Sequence, residues 1–250
     1  MRILSWNVNG LRAAERNGFL KRLEEINADI VCLQEVKTYP EQLSDQLRNP
    51  LNYYPLFNPA KKKGYAGVAI YSKLKPLKIE DKIGLGKFDG EGRSLKVKFS
   101  NFILLNVYMP HGGRKKENMG YKLTAYSHLL ASLRHHGEVV VAGDFNIAHH
   151  EIDLARPNQN HKNTMFTTKE RSKIDDLVNL GFEDSFRLFN QKPGYYSWFP
   201  YGFDARERNL GWRIDYAFVS KDLRSKMKTS SILKDVTGSD HCPVLLEIEF

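Results

Sequence analysis

Short apolar runs recur along this chain from one end to the other, separated by polar stretches. The clearest are residues 3–6, 30–33, 67–71, 94–99, 102–108, 139–142, 216–219 and 244–248. Most are near-continuous rather than alternating, the pattern of strands buried on both faces. Helical spacing lies between some of them. Phe19, Leu20, Leu23 and Ile26 mark one apolar face. Tyr126, Leu129, Leu130 and Leu133 mark a second, with Gly137 as its expected stop. Thr167 and Glu170 have capping-box spacing ahead of Ile174, Leu177 and Val178, and Gly181 is placed to end that helix. Residues 67–108 and 195–219 carry strand signals without intervening helices, which predicts antiparallel pairing. The whole reads as α/β, with mixed sheets and helices outside. No linker, repeat or low-complexity segment divides it, so one domain over residues 1–250 is expected.

Composition narrows the class. Hydrophobic residues make up 41% and charged residues 27%, an ordinary globular balance. No apolar run approaches the roughly 18–20 residues of a membrane helix, and the N-terminus has no signal-peptide core. No membrane partner is expected. Cys32 and Cys242 are too few for a disulfide framework, and Cys32 sits in an apolar run as a small hydrophobe. A reducing cytoplasm is the expected compartment. The net charge of +9 favours anionic partners such as nucleic acid, without choosing one. There is no P-loop and no G-x-G-x-x-G. His149-His150-Glu151 and His161 lack zinc-site spacing and read as surface or loop residues.

The chemistry lies at strand ends. Asn7, Glu35, Tyr108, Asp144 and Asn146 end or follow predicted strands, whereas Asp215, Asp240 and His241 begin or precede them. If the two kinds of strand run antiparallel, all these ends gather at one edge. Several carboxylates together need a compensating cation or proton. Oxygen donors with little His or Cys point to Mg²⁺, with Mn²⁺ as a substitute. Taken singly, each acid also fits a strand-end cap or a salt-bridge partner.

In this order, Trp6-Asn7-Val8-Asn9-Gly10-Leu11-Arg12, Leu33-Gln34-Glu35, Gly64-Tyr65-Ala66-Gly67-Val68, Asn106-Val107-Tyr108, Gly143-Asp144-Phe145-Asn146, Gly211-Trp212-Arg213-Ile214-Asp215-Tyr216 and Gly238-Ser239-Asp240-His241 span nearly the whole chain. The set closely resembles the exonuclease III family of apurinic/apyrimidinic endonucleases, within the endonuclease/exonuclease/phosphatase superfamily. The resemblance implies a four-layer α/β sandwich of the DNase I-like kind, two mixed sheets face to face with helices on both outer sides. It also implies roles. Glu35 is the principal metal ligand, with Asn7 and Asp240 nearby. Asp144 aligns and activates water, with Asn146 as its orienting partner. His241, held by Asp215, donates to the scissile phosphate, and Tyr108 stabilises charge on it. Which group finally takes the water's proton, and whether one or two metals act, stay open. Asn9 stands where some members carry Asp, which is expected to change metal affinity modestly.

The superfamily also includes lipid phosphatases, so substrate rests on further features. Lys61-Lys62-Lys63, Arg114-Lys115-Lys116 and Arg206-Glu207-Arg208 lie in predicted loops and suit backbone phosphates, although the lysine run equally fits a solvated surface. The resemblance makes Arg12, Tyr65, Arg114, Asn163 and Arg206 DNA contacts. It makes Trp198, Trp212 and Ile214 the wall of a pocket for a base-less sugar. Tyr196 and Phe199 fit the core as well as the pocket, and His111 replaces an amide seen in some relatives. The implied activity is metal-assisted hydrolysis of the phosphodiester 5′ to an abasic site in duplex DNA, leaving a 3′-hydroxyl. Repair of blocked 3′ ends, 3′→5′ exonuclease action and a wider lesion range would accompany it, in a monomer. The rivals are a lipid or small-molecule phosphodiesterase and a non-catalytic DNA-binding module.

Overall fold

The near-continuous apolar runs become interior strands, and their residues alternate between two different cores. A computed structural model describes residues 1–134 and 137–250. Its strands are β1 (Arg2–Asn7), β2 (Ile30–Gln34), β3 (Tyr54–Asn58), β4 (Val68–Ser72), β5 (Lys78–Glu80), β6 (Ser94–Lys98), β7 (Ile103–Tyr108), β8 (Val139–Asp144), β9 (Phe182–Asp184), β10 (Asp215–Ser220), β11 (Met227–Ile232) and β12 (Val244–Ile248). They form two mixed six-stranded sheets, in the orders β11-β12-β1-β2-β4-β3 and β5-β6-β7-β8-β10-β9.

Ile3, Ile30, Cys32, Ile70 and Leu246 of the first sheet meet Val97, Leu104, Val140, Ala142 and Val219 of the second in a shared core. The alternate residues face outward and are covered. Leu4, Trp6, Val31 and Leu33 pack on Leu11, Phe19 and Leu23 of the helices Leu11–Arg16 and Phe19–Ile26. Leu105, Val139, Val141 and Phe218 pack on Ala125, Leu129, Ile174 and Leu177 of the helices Met119–Ser132 and Thr168–Asn179. The result is the four-layer sandwich, with every predicted strand present and each apolar face matched.

The strands that the apolar pattern leaves out are β3, β5, β9 and β11, which are the outer strands of the two sheets. An edge strand is less fully enclosed, and polar residues there discourage further pairing. Lys78-Ile79-Glu80 is such a sequence, so it carries no apolar run. Residues 195–212 form no ladder. They meet only at an isolated antiparallel bridge between Trp198 and Trp212, because Phe203, Asp204 and Asn209 adopt positive φ and turn the chain into a loop. The second predicted helix closes at Leu133 through a backbone bond to Leu130, ahead of Gly137. The Thr167–Glu170 capping box forms, and Gly181 follows the cap residue Leu180 at φ +95°.

Candidate active site

Pairing direction assembles the site. β1 runs parallel to β2 and antiparallel to β12, and β7 runs parallel to β8, which is antiparallel to β10. The C-terminal ends of β1, β2, β7 and β8 therefore share an edge with the N-terminal ends of β10 and β12. Register puts Tyr108 and Asp215 on either side of Asp144. Gly143, at φ +150°, lets β8 approach β7: a Cβ there would lie 1.9 Å from the Val107 carbonyl oxygen. Below the site, Gln34 donates to Ser5 and to Asn106 across the two sheets, and Asn106 donates to the carbonyls of Leu33 and Ala69.

Asn7 links the two central acids. Its Nδ2 donates to Glu35 Oε1 and to Asp144 Oδ2, both at 2.8 Å. Asn146, at φ +52°, donates from its backbone N–H to Asp144 Oδ1 at 2.8 Å and from Nδ2 to Oδ2 at 3.2 Å. Lys37 Nζ lies 2.7 Å from Glu35 Oε2. Across the cleft, His241 Nδ1 is 2.8 Å from Asp215 Oδ2, which also accepts the Ser197 hydroxyl at 2.7 Å. Trp6 Nε1 holds the His241 carbonyl at 3.1 Å. Glu35, Asp144 and His241 each offer an atom within 4.8 Å of the others.

The electrostatics follow from crowding. Burial, with Asp215 and Glu35, lifts the Asp144 carboxyl far above its usual range, to about 8, against the pull of His241. Burial opposes charge on His241, but the Asp215 carboxylate, helped by Asp144 and Asp240, outweighs it and raises the imidazole to about 10. Burial also raises Glu35, yet Lys37 and the Asn7 amide hold it below its usual value. Burial and Glu35 keep the Tyr108 phenol protonated far past neutrality. Arg93, over the Tyr108 ring at 4.4 Å and bonded to Tyr65 Oη at 3.0 Å, fixes both tyrosines.

The donor set fits a hard divalent cation. Carboxylate oxygens dominate it, and the crowding of Asp144 by Glu35 and Asp215 is the kind of negative charge that a cation compensates. Glu35 would hold such an ion; Asn7 turns its Nδ2 toward Glu35 and Asp144, while its Oδ1 accepts the Asn9 N–H at 3.0 Å. Asp240 sits one step further out: its Oδ1 accepts from Asn9 at 3.0 Å and its Oδ2 from Trp198 Nε1 at 3.0 Å. The close group thus pairs Glu35 with Asp144 and His241, not with Asp240.

An apolar wall stands beside the acids. Ile214 is buried with Ala148, Leu154, Met165 and Phe166, and the half-buried Trp198 and Trp212 pack against them. Tyr196 and Phe199 are buried in a neighbouring cluster, the core alternative. Arg12, Tyr65, Arg114 and Asn163 are exposed. Arg206 is half-buried, donates to the Val236 and Ser239 carbonyls and lies over Phe199. The demoted histidines are engaged as well, His149 with Asp175 and His161 with Glu151.

Lys37, Arg93 and Ser197 were missed by sequence reasoning. Lys37 was signalled only by its place two residues after Glu35. Ser197 was hidden among aromatics, and Arg93 had no local signal.

A family model described as the endonuclease/exonuclease/phosphatase family matches residues 4–241. An exodeoxyribonuclease of Bacillus subtilis is 43% identical, with 99% of each chain covered. A DNA-(apurinic or apyrimidinic site) endonuclease of Dictyostelium discoideum is 36% identical over 98% of this chain and 69% of its own. Among solved structures, a 3′ phosphatase from Neisseria bound to a product DNA hairpin superposes with a TM-score of 0.91 at 28% identity, covering 100% of both chains.

Proposed function

This chain belongs to the endonuclease/exonuclease/phosphatase family, and on that premise we propose that it is a DNA-repair nuclease that hydrolyses the phosphodiester 5′ to an abasic site in duplex DNA. The observation that carries this reading is the buried Asp144, gripped by Asn7 and Asn146, facing an Asp215–His241 pair beside the Trp198–Trp212–Ile214 wall. The relatives named exodeoxyribonuclease, apurinic or apyrimidinic endonuclease and 3′ phosphatase support the reaction class and its accompanying 3′-end activities.

Each residue has a task set by its surroundings. Among the described residues, the Asp144 carboxylate accepts hydrogen bonds only from Asn7 and Asn146, so it orients a water without being locked into a salt bridge. His241, charged by Asp215, and Tyr108, held protonated, donate to phosphate oxygens as negative charge develops. A Mg²⁺ ion held by Glu35, whose carboxylate Asn7 orients, would supply neutralisation of the phosphate. Trp198, Trp212 and Ile214 would receive a sugar without a base and leave too little room for a nucleotide. Arg12, Tyr65, Arg114 and Asn163 would meet the backbone.

The proposal includes a single catalytic domain over residues 1–250, because site residues run from Asn7 to His241. It also includes a monomer in a reducing cytoplasm, and both cysteines are buried free thiols. No helix among the described residues is long and apolar enough to cross a membrane.

The test is a cleavage panel on one duplex carrying an abasic site, uracil, hypoxanthine, a 3′-phosphate or no lesion. Strand scission at the abasic site with Mg²⁺, lost in EDTA and regained on adding the metal, is expected. Folded protein that binds the abasic duplex and never cuts it would leave only a binding module. Cleavage of a soluble phosphodiester that abasic DNA does not inhibit would point to a small-molecule substrate.

A further inference from the structure

Lys122 is fully buried, and so is Glu170, its partner. The Lys122 ammonium donates to three oxygens: Glu170 Oε1 at 2.6 Å, the Asn146 carbonyl at 2.7 Å and the His111 carbonyl at 3.0 Å. Three donors thus meet three acceptors, and none is left for solvent. A buried ion pair of this kind seldom stabilises a fold more than apolar residues of the same size would. Its use here is therefore sought in the geometry that it enforces.

That geometry leads to the reacting groups. Asn146 holds Asp144 with both its backbone N–H and its side chain, and does so from a left-handed conformation at φ +52°. The carbonyl of that same residue is the one that Lys122 binds. His111 lies two residues beyond Met109, whose carbonyl accepts from Asn146 Nδ2 at 2.9 Å. Gly112, at φ +96°, passes so close that a Cβ would lie 3.1 Å from Lys122 Cδ and 3.3 Å from Thr164 Cγ2. Thr164 in turn donates to the Gly113 carbonyl at 2.8 Å. Glu170 accepts from the N–H groups of Met165 and Thr167 at the start of the helix Thr168–Asn179.

Resting on the nuclease reading above, we propose that Lys122 is a positioning residue: its ammonium, neutralised by Glu170, locks the Asn146 and His111 carbonyls together and so fixes the angle at which Asn146 presents Asp144. An ammonium one residue removed fixes the orientation of Asp144 and leaves its oxygens open to water.

The double variant Lys122→Met/Glu170→Gln removes the ammonium without stranding a charge; the glutamine keeps a single oxygen, so one of the Met165 and Thr167 N–H groups, which use different Glu170 oxygens, loses its acceptor. Ile174→Ala serves as the control. It loosens the same helix packing from within the apolar core and touches none of these oxygens. With wild type cutting the abasic duplex, the double variant is expected to lose at least tenfold in kcat while KM changes less than threefold. Ile174→Ala, compared at a temperature where both variants are folded, should keep kcat within twofold of wild type. A double variant with wild-type kcat overturns the proposal. So does an equal loss of kcat in Ile174→Ala, since general loosening would then account for both. If the double variant does not fold, Lys122→Arg takes its place, because it keeps the charge but cannot set one nitrogen on all three oxygens. A drop of at least threefold in kcat at constant KM supports the proposal, and an unchanged kcat defeats it. Absence of cleavage by wild type itself would instead count against the nuclease reading.

Discussion

At position 9 a carboxamide faces a carboxylate. Asn9 Nδ2 donates to Asp240 Oδ1, and its own oxygen accepts from Lys37. An acid there would exchange a donor for a second negative oxygen beside Asp240, a juxtaposition that favours a cation or a proton. Asn9→Asp should therefore lower the melting temperature in EDTA and gain more than wild type on adding Mg²⁺. Equal gains in the two proteins would show that position 9 does not sense the ion. The two central groups allow a sharper test. Asp144→Asn keeps the shape but cannot accept a proton, and His241→Asn loses the cation that Asp215 sustains. Each should reduce cleavage by at least about 10²-fold, the usual scale for a positioned proton-transfer group, while binding of the abasic duplex in a gel-shift titration stays within a few-fold. Turnover near wild type in either would remove that residue from the chemistry.

Among elements, the loop Trp212–Ile214 is braced from behind by an ion network. Asp153 Oδ1 receives Arg213 Nε at 2.8 Å and Arg187 Nη2 at 2.6 Å, and Arg213 Nη2 reaches Asp184 at 2.6 Å. The Arg213 N–H also donates to the Asp153 carbonyl. The pocket wall thus hangs on the buried Arg213 and the partly buried Arg187. Burial disfavours the Asp153 carboxylate, but Arg213 and then Arg187 outweigh it and hold its pKa far below the usual carboxylate range. A depressed pKa means that the folded state binds the proton less readily than the unfolded chain. The stabilisation is therefore complete above the unfolded value of about 3.9 and is lost as pH falls toward the folded one. Asp153→Asn should cost about 3–5 kcal/mol at neutral pH, because it strands buried cations. Thermal melting of the two proteins should converge progressively below about pH 4. A gap that widens on acidification would contradict the assignment.

For the whole molecule, the net charge of +9 is available to a polyanion only where side chains face outward. Arg114 is exposed, whereas Arg206 is tied to backbone carbonyls of its own chain. Each phosphate contact contributes a slope of about 0.9 in log affinity against log salt. Arg114→Ala should accordingly reduce the salt slope of duplex binding by about one. Arg206→Ala should change it less and lower the melting temperature more. Equal slopes for wild type and Arg114→Ala would remove Arg114 from the DNA face.

The interior of the sandwich was legible because strands buried on both faces must be apolar at every position, as Val139-Val140-Val141-Ala142 is. The capped helix after Thr167 was legible for a similarly local reason, a reciprocal bond between residues three apart. The acids at the strand ends were legible as a set, since their order along the chain carried the family resemblance. Edge strands such as Lys78–Glu80 were not, because partial enclosure demands no apolar run. Nor were Lys37, Arg93, Ser197 or Lys122: an exposed-looking polar residue declares its task only through partners brought to it from elsewhere in the chain. The sequence by itself thus determined the layers, the family and the central acids, all of which rest on local periodicity or motif. Only the tertiary structure decided which cations brace those acids, which arginine bonds backbone carbonyls of its own chain, and that Asp240 stands behind Asn9, because each of these depends on distances between segments that chain order does not encode.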